Sequence, residues 1–198
     1  MGDPAKDTGD RFTYRHYRTW PEEERWELID GQAWSMSPAP STLHQDIQAQ
    51  LITALRVFLK GKSCKAFDAP FDVLLPVGDE TDDEVNTVVQ PDIVVICDRS
   101  KIMPHGVRGA PDLVMEILSP RTSKKDLNEK FRLYERHRVR EYWVIDPGNR
   151  AIQVWRLRPE DGYDSGELRD MLRDDLPISS SVLEGFAIDP KELFAELD

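Results

Sequence analysis

The chain has 198 residues, of which 39% are hydrophobic and 32% charged, a composition typical of one globular domain that can bury a core of its own. Its 26 Lys and Arg stand against 37 Asp and Glu, and the formal net charge of −11 disfavours a protein that coats nucleic acid, because phosphates are repelled. No apolar run reaches the about 18 residues of a membrane helix, and the polar start lacks the apolar stretch of a secretory signal. Cys64 and Cys97 are too few for a disulfide framework or a cysteine-built zinc site, so we expect a cytoplasmic protein without membrane partners.

The first third of the chain predicts a polar arm, a hairpin and a helix. Residues 1–11 form the arm, and 12–198 form a single domain. Two short β-rich runs at 26–29 and 32–36 flank Asp30-Gly31, a dipeptide typical of tight hairpin turns. After a loop at 37–40, apolar residues recur at helical spacing over 42–60, between an N-cap at Ser41 and a stop at Gly61.

The middle of the chain predicts buried strands. One strand is expected at 64–75, followed by an acidic loop at 76–87. The β-branched apolar run at 92–97 is typical of a strand covered on both faces. After a loop at 99–110, a similar run at 112–118 predicts a second buried strand.

The last third predicts one helix at 123–137 and strands at 141–145 and 151–157. A further strand or two is expected within 162–173, and a short helix over 190–197. Four aromatic residues here can pack a core or a partner: Tyr142, Trp143, Trp155 and Tyr163. The order of elements indicates an α/β or α+β domain with a mixed sheet flanked by helices.

Charges are segregated along the chain. Residues 71–98 contain eight acids and no Lys or Arg, and 159–198 contain twelve acids and three bases. Residues 121–140 instead contain eight bases and three acids, a local charge of +5. Such runs are commonly solvated faces, and the basic stretch is also a candidate for phosphate contacts.

Two carboxylates occur where the pattern predicts a core. Glu116 lies inside the apolar run at 112–118, and ionised carboxylates are rarely buried without a partner. Asp92 follows Pro91 at the start of the other apolar run. Each has a structural explanation. Glu116 can form an ion pair or lie at the open end of its strand, and Asp92 can be an ordinary strand start. If the two strands are neighbours, both carboxylates line one cleft and can hold a hard divalent cation.

Three further residues are candidates for the same cleft. On a helical wheel Lys130 falls between Leu133 and Tyr134, in the apolar arc, so it needs an anion on the sheet side unless it snorkels or pairs with Asp126. His44 also lies in the apolar arc of its helix, either as a packing histidine or as a site residue. Glu27, taken alone, is an ordinary strand charge.

Six stretches in this order resemble the Uma-type restriction endonucleases, within the PD-(D/E)XK nuclease superfamily, over roughly residues 12 to 195. They are Trp26-Glu27-Leu28-Ile29-Asp30-Gly31; Ser37-Pro38 with His44-Gln45; Gln90-Pro91-Asp92-Ile93-Val94; Pro111-Asp112-Leu113-Val114-Met115-Glu116-Ile117-Leu118-Ser119-Pro120; Asp126 with Lys130 and Tyr134; and Glu141-Tyr142-Trp143-Val144-Ile145-Asp146-Pro147. The resemblance implies an αβββαβ nuclease core, with the hairpin before it.

The resemblance also implies a role for each candidate residue. Asp92 and Glu116 would hold Mg²⁺ or Mn²⁺, with Glu27 and His44 as supporting site residues. The superfamily lysine stands two residues after the acid, where this chain has Leu118, and Lys130 would replace it from the following helix. Tyr134 would hydrogen-bond a carboxylate or the substrate.

The expected function is metal-dependent hydrolysis of DNA phosphodiester bonds. The metal would polarise a phosphoryl oxygen, and Lys130 would orient the attacking water, or act as base if its pKa is depressed. The acidic remainder of the chain predicts only weak non-specific binding to DNA. Two alternatives remain open, a non-catalytic nuclease-fold binding module and a metal-dependent hydrolase of another phosphoester. A homodimer is expected by resemblance.

Overall fold

The computed structural model describes residues 11–21, 24–36, 40–119, 124–174 and 176–195, without the side chains of 124–126. The predicted arm, apart from Arg11, lies outside these ranges, as do most of the loop at 37–40 and the end of the last predicted helix. No helix in the described part of the chain is long and apolar enough to cross a membrane.

The elements below are those found within the described ranges. The helices are α1 (Tyr14–Tyr17), α2 (Thr42–Phe58), α3 (Lys124–Arg136) and α4 (Pro190–Leu193), with 3₁₀ turns at Asp82–Glu84 and Arg99–Lys101. The strands are β1 (Trp26–Ile29), β2 (Gln32–Ser35), β3 (Lys65–Asp68), β4 (Asp72–Leu74), β5 (Val88–Val89), β6 (Ile93–Ile96), β7 (Ile102–Met103), β8 (Gly106–Arg108), β9 (Leu113–Ile117), β10 (Glu141–Asp146), β11 (Ala151–Arg158), β12 (Gly162–Tyr163), β13 (Glu167–Asp170), β14 (Ile178–Ser179) and β15 (Ala187–Ile188).

The strands form two large sheets and a small ribbon. The central sheet has the order β12-β11-β10-β9-β6-β3, with β13 also paired to β11, and the second sheet has the order β2-β1-β5-β4-β8-β7. β14 and β15 pair with each other. In the central sheet β3, β6 and β9 are antiparallel neighbours, and α3 connects β9 to the parallel strand β10. The elements α2-β3-β6-β9-α3-β10 therefore form the predicted αβββαβ core, and the α+β class with a mixed sheet and an N-terminal hairpin is confirmed.

The local turn and capping predictions are confirmed. Asp30 and Gly31 both have positive φ, at 50° and 80°, as a two-residue turn between β1 and β2 requires. The Ser41 side chain accepts a hydrogen bond from the backbone N–H of His44 and caps α2. Gly61, with φ of 81°, follows the end of that helix.

Two predictions about the middle of the chain are wrong. The single strand expected at 64–75 is two strands, β3 and β4, which belong to different sheets and are separated by a cis Ala69–Pro70 peptide. The loop expected at 99–110 contains β7 and β8. At Gly106 an added Cβ would lie 2.2 Å from the carbonyl oxygen of Asp72, so the β4–β8 pairing depends on glycine, whereas the sequence pattern suggested a turn there.

The central sheet is covered on both faces, as its apolar runs predict. α2 and the segment after β13 cover one face, with Ile47, Leu51 and Phe194 among the buried residues. α3 and the second sheet cover the other face. The aromatic residues of the last third pack within the core: Tyr142 and Trp143 are fully buried, and the ring of Trp155 stacks on Tyr142 at 5.5 Å.

Cys64 and Cys97 form a disulfide, which the sequence analysis did not predict. They lie opposite each other across the β3–β6 ladder, one position beyond the pair Lys65 and Ile96. The disulfide thus joins the carboxyl end of β6 covalently to the start of β3.

Glu141 joins the central sheet to the segment after β13. Its carboxylate, at the start of β10, is fully buried. One oxygen accepts a hydrogen bond from Trp143 Nε1 at 2.5 Å, and the other accepts from the backbone N–H of Ser181 at 2.6 Å and of Val182 at 3.2 Å. The sequence analysis assigned no role to this residue.

We expect Glu141→Ala to lower the free energy of unfolding by about 3 kcal/mol, because it leaves buried donors without an acceptor. The shift is measured from the midpoint of urea unfolding at unchanged slope. Glu141→Gln should lose less, since the amide keeps the shape and one acceptor. The exposed Glu192 provides the matched control, and Glu192→Ala should stay within about 0.5 kcal/mol of the unaltered chain. If Glu141→Ala changed the free energy of unfolding as little as Glu192→Ala does, its hydrogen bonds to Trp143, Ser181 and Val182 would not stabilise the fold as expected.

Candidate functional site

A cavity of about 460 Å³ lies at one end of β6 and β9, beneath the hairpin and between α2 and α3. Its wall includes every ionisable residue predicted for the site except Tyr134: Glu27, His44, Asp92, Glu116 and Lys130. The structure therefore brings together side chains from β1, α2, the start of β6, β9 and α3. Tyr134 lies behind this wall, fully buried.

The ladder between β6 and β9 sets Asp92 opposite Glu116. Ile93 pairs with Met115, so the next position along the same antiparallel register joins Asp92 to Glu116. Directly opposite residues have Cβ atoms about 5 Å apart. The Asp92 carboxylate is fixed by the backbone N–H of Ile117, which donates to its Oδ2 at 2.7 Å.

Lys130 reaches from α3 into a pair of carboxylates. Its Nζ donates to Glu116 Oε1 at 2.8 Å and to Glu27 Oε1 at 3.2 Å. The Tyr134 hydroxyl, one turn later on α3, donates to the same oxygen of Glu116 at 2.6 Å. Lys130 thus faces the sheet, and its contacts join the hairpin, the central sheet and α3. The side chain of Asp126, the alternative ion-pair partner predicted for Lys130, is not among those that the structure describes.

Two residues of α2 hold Asp92 from the other side. His44 Nε2 lies 3.2 Å from Asp92 Oδ2, and the Gln48 amide donates to the Asp92 carbonyl oxygen at 3.0 Å. Burial alone would lower the pKa of His44, but the hydrogen bond and the charge of Asp92 outweigh it and raise that pKa above its usual value. Gln48 was not predicted, although its position four residues after His44 places it on the same face of the helix.

The ionisation of Glu116 and Lys130 is set by their mutual burial. Burial, with repulsion from Asp92 and Glu27, raises the pKa of Glu116 to about 7, although Lys130 acts in the opposite direction. Burial would lower the pKa of Lys130, but attraction by Glu116, Glu27 and Asp92 outweighs it and raises that pKa. Lys130 is therefore a cation. The condition for its use as a base, a depressed pKa, is not met.

The carboxylates of Asp92 and Glu116 suit a hard divalent cation whose remaining ligands come from water or a bound substrate. Within the described residues, Oδ1 of Asp92 and Oε2 of Glu116 accept no hydrogen bond, and both side chains line the cavity. Mg²⁺ commonly takes one or two carboxylates and completes its shell with waters and phosphate oxygens. In that same part of the chain no group of three His, Cys, Asp or Glu can hold an ion by itself. Two carboxylates thus fit an open site and not a closed protein cage.

Asp112 provides an internal counterpart of Asp92. Each follows a proline and precedes a central strand, and each accepts a backbone hydrogen bond of 2.7 Å from the neighbouring strand, Asp92 from Ile117 and Asp112 from Cys97. Asp112 lies at the opposite end of the ladder and pairs with Arg140 at 3.0 Å. Asp112 is not among the residues that line the cavity.

The basic stretch at 121–140 is partly engaged within the chain. Arg136 pairs with Asp30, Arg138 donates to the Pro159 carbonyl oxygen, and Arg140 pairs with Asp112. Residues 121–123 and the side chains of 124–126 lie outside the description. The predicted supply of phosphate contacts from this stretch stays a prediction.

Gln90 and Arg25 are cavity residues to which the sequence analysis gave no role. The backbone N–H of Gln90 donates to Glu27 Oε1 at 2.9 Å, and its side-chain oxygen accepts from Arg25. Gln90 is part of the stretch that carries the resemblance, but no periodicity marks it. Arg25 precedes the hairpin in a highly charged segment, where an arginine is unremarkable in sequence.

We expect the stability of the protein in EDTA to depend on the titration of Glu116. Its folded pKa is raised, so its protonated form contributes stability that is lost as the pH rises from about 4.5 to about 7. Relative to Glu116→Gln, the unaltered chain should therefore lose stability across this window and remain level above it. Urea midpoints between about pH 5 and pH 8 measure the difference. Glu192→Gln is the exposed control, and a pH-independent difference for Glu116→Gln would contradict the expectation.

Three comparisons show which proteins this chain is similar to. A solved structure described as a "putative nuclease belonging to DUF820", from Anabaena variabilis ATCC 29413, has a TM-score of 0.73 at 23% identity, over 93% of this chain and 98% of that one. A Synechocystis sp. protein named "Uncharacterized protein slr1290" is 29% identical over 150 residues, 73% of this chain and 74% of the relative. The profile of the Uma2 family, described as "Putative restriction endonuclease", matches residues 14–191. The chain belongs to the Uma2 family and has a nuclease-like fold.

Proposed function

We propose that this protein is a divalent-metal-dependent endonuclease that hydrolyses DNA phosphodiester bonds. The observation that carries the proposal is the pair Asp92 and Glu116, opposite each other on one ladder, with Lys130 Nζ 2.8 Å from Glu116 at the wall of an open cavity. Membership of the Uma2 family and the nuclease-like fold support it.

Asp92 and Glu116 are the proposed ligands of Mg²⁺ or Mn²⁺. In each carboxylate one oxygen accepts hydrogen bonds from protein donors, so both carboxylates are held in place before a cation arrives. When bound, the cation would polarise a phosphoryl oxygen and lower the pKa of water.

Lys130 is the proposed catalytic cation. Held by two carboxylates, it orients the attacking water and stabilises negative charge that develops on the phosphate. Glu27 holds its amine, Tyr134 holds Glu116, and His44 holds Asp92, so these three are proposed as positioning residues.

The location and assembly of the protein stay predictions. The sequence favours the cytoplasm, whereas a disulfide such as Cys64–Cys97 is commoner in oxidising compartments. A homodimer that cuts both strands is the assembly we propose, and DNA binding outside the site is expected to be weak because of the net charge of −11.

Supercoiled plasmid should be nicked or linearised by the full chain with Mg²⁺ or Mn²⁺, and not with EDTA. Asp92→Asn, Glu116→Gln and Lys130→Met should each lower the rate by about 10²-fold or more, because a metal ligand or the catalytic cation is lost. Titration with Mn²⁺, followed by electron paramagnetic resonance, should show weaker binding for the first two variants.

Asp112→Asn is the matched control for Asp92→Asn. It removes a carboxylate from the equivalent strand start with the same backbone hydrogen bond, but outside the cavity. Its rate and Mn²⁺ affinity should stay close to those of the unaltered chain. Absence of plasmid cleavage with both metals would refute the proposal. If Mn²⁺ then still binds through Asp92 while p-nitrophenyl phosphoesters are hydrolysed, another phosphoester is the substrate. Equal loss in the Asp92 and Asp112 variants would indicate a structural role only.

A further inference from the structure

The wall of the cavity contains an arginine for which the described residues provide no carboxylate partner. Arg25 lies directly before β1, and its Nε and Nη2 donate to the amide oxygen of Gln90 at 3.2 and 2.9 Å. Throughout the described ranges neither an ion pair of Arg25 nor a hydrogen bond from its Nη1 is found. Among the described residues its hydrogen-bond partner is thus a neutral amide, and Nη1 of the guanidinium keeps its hydrogen-bonding capacity.

The neutral partner is itself held by a polar network. Gln90 Nε2 donates to Asp72 Oδ1 at 2.9 Å and to the Tyr17 hydroxyl oxygen at 3.0 Å. The Tyr17 hydroxyl donates to the same oxygen of Asp72 at 2.9 Å. Because the amide nitrogen is committed to these acceptors, the amide oxygen must face Arg25. The network therefore fixes the direction of the guanidinium relative to the cavity.

The acidic side chains around the cavity would repel a phosphodiester, and a positively charged side chain such as Arg25 would reduce this repulsion. Glu27, Asp92 and Glu116 are acidic, and Lys130 is occupied by two of them. A phosphodiester that approaches these carboxylates carries a further negative charge, and a divalent cation compensates only part of the repulsion. Guanidinium groups bind phosphate oxygens through charge-assisted hydrogen bonds, and Nη1 of Arg25 has donors for such a contact.

We infer that Arg25 is a phosphate-binding residue of this site, oriented by Gln90, and that it holds a phosphodiester anion of the substrate beside Asp92 and Glu116. The inference rests on the proposed function for the identity of the substrate, and it adds a recognition residue that lies outside the αβββαβ core.

Two probes test the inference with the full-length chain. The first is a fluorescein-labelled DNA duplex of about 20 base pairs, whose binding in EDTA is followed by fluorescence anisotropy. The second is inorganic phosphate, followed by its ³¹P linewidth. Arg25→Gln should weaken both by about 10-fold or more and reduce the slope of log affinity against log salt by about 1. Arg25→Lys should restore part of the affinity, which a mere failure to fold would not.

Arg99→Gln is the control, because it causes the same change in net charge. Arg99 donates to the carbonyl oxygens of Lys62 and Ser63, at the opposite end of β6. The affinities of the Arg99→Gln variant for both probes should stay within about 2-fold of those of the unaltered chain, because the charge that it loses is remote from the cavity.

The outcomes separate this inference from the proposed function. If the unaltered chain cleaves plasmid and Arg25→Gln binds and cleaves equally well, the inference is overturned and the proposed function stands. If phosphate binds in an Arg25-dependent way but DNA is neither bound nor cut, the inference stands and the proposed function fails. Absence of binding to both probes, or an equal loss in Arg99→Gln, overturns the inference.

Discussion

The antiparallel register of β6 and β9 is the constraint on which the site depends. It places Asp92 opposite Glu116 at one end and brings Asp112 against Cys97 at the other. A slip of one residue would turn each side chain to the opposite face, so neither the cavity nor the core would survive it. Hydrogen bonds from backbone N–H groups to the two aspartates fix this register at both ends of the ladder.

Glu116 and Lys130 form a buried ion pair whose structural role follows from its contacts. Their ion pair joins α3 to the central sheet. Loss of Lys130 would leave Glu116 without a cation, whereas loss of Glu116 would leave Lys130 paired with Glu27. Glu116 also lines the cavity, so under the proposed function the residue that positions the helix is also a ligand of the cation. The carboxylates of Glu27, Asp92 and Glu116 outnumber the one lysine among them, and the cation of the proposed function would offset the remaining negative charge.

Local chemistry explains which parts of the sequence were predictable. The hairpin followed from Asp30-Gly31, and the inward direction of Lys130 followed from helical geometry. Asp92 and Glu116 were recognisable because a charge interrupts or begins an apolar run. The contacts of Gln90 and Arg25 were not predictable, because their partners lie up to 73 positions away and ordinary polar residues in loops carry no periodic pattern. The strands β7 and β8, two and three residues long, are too short to show one.

The burial of Glu141 bears on the order in which the chain can fold. Its partners Ser181 and Val182 follow it by 40 and 41 residues. During synthesis β1 to β11 are complete before either partner leaves the ribosome, and until then the carboxylate must stay hydrated. A nascent chain in this state keeps one face of its sheet open, with Phe186 and Phe194 not yet added to the core. The domain can therefore close only after the segment that follows β13 has been added.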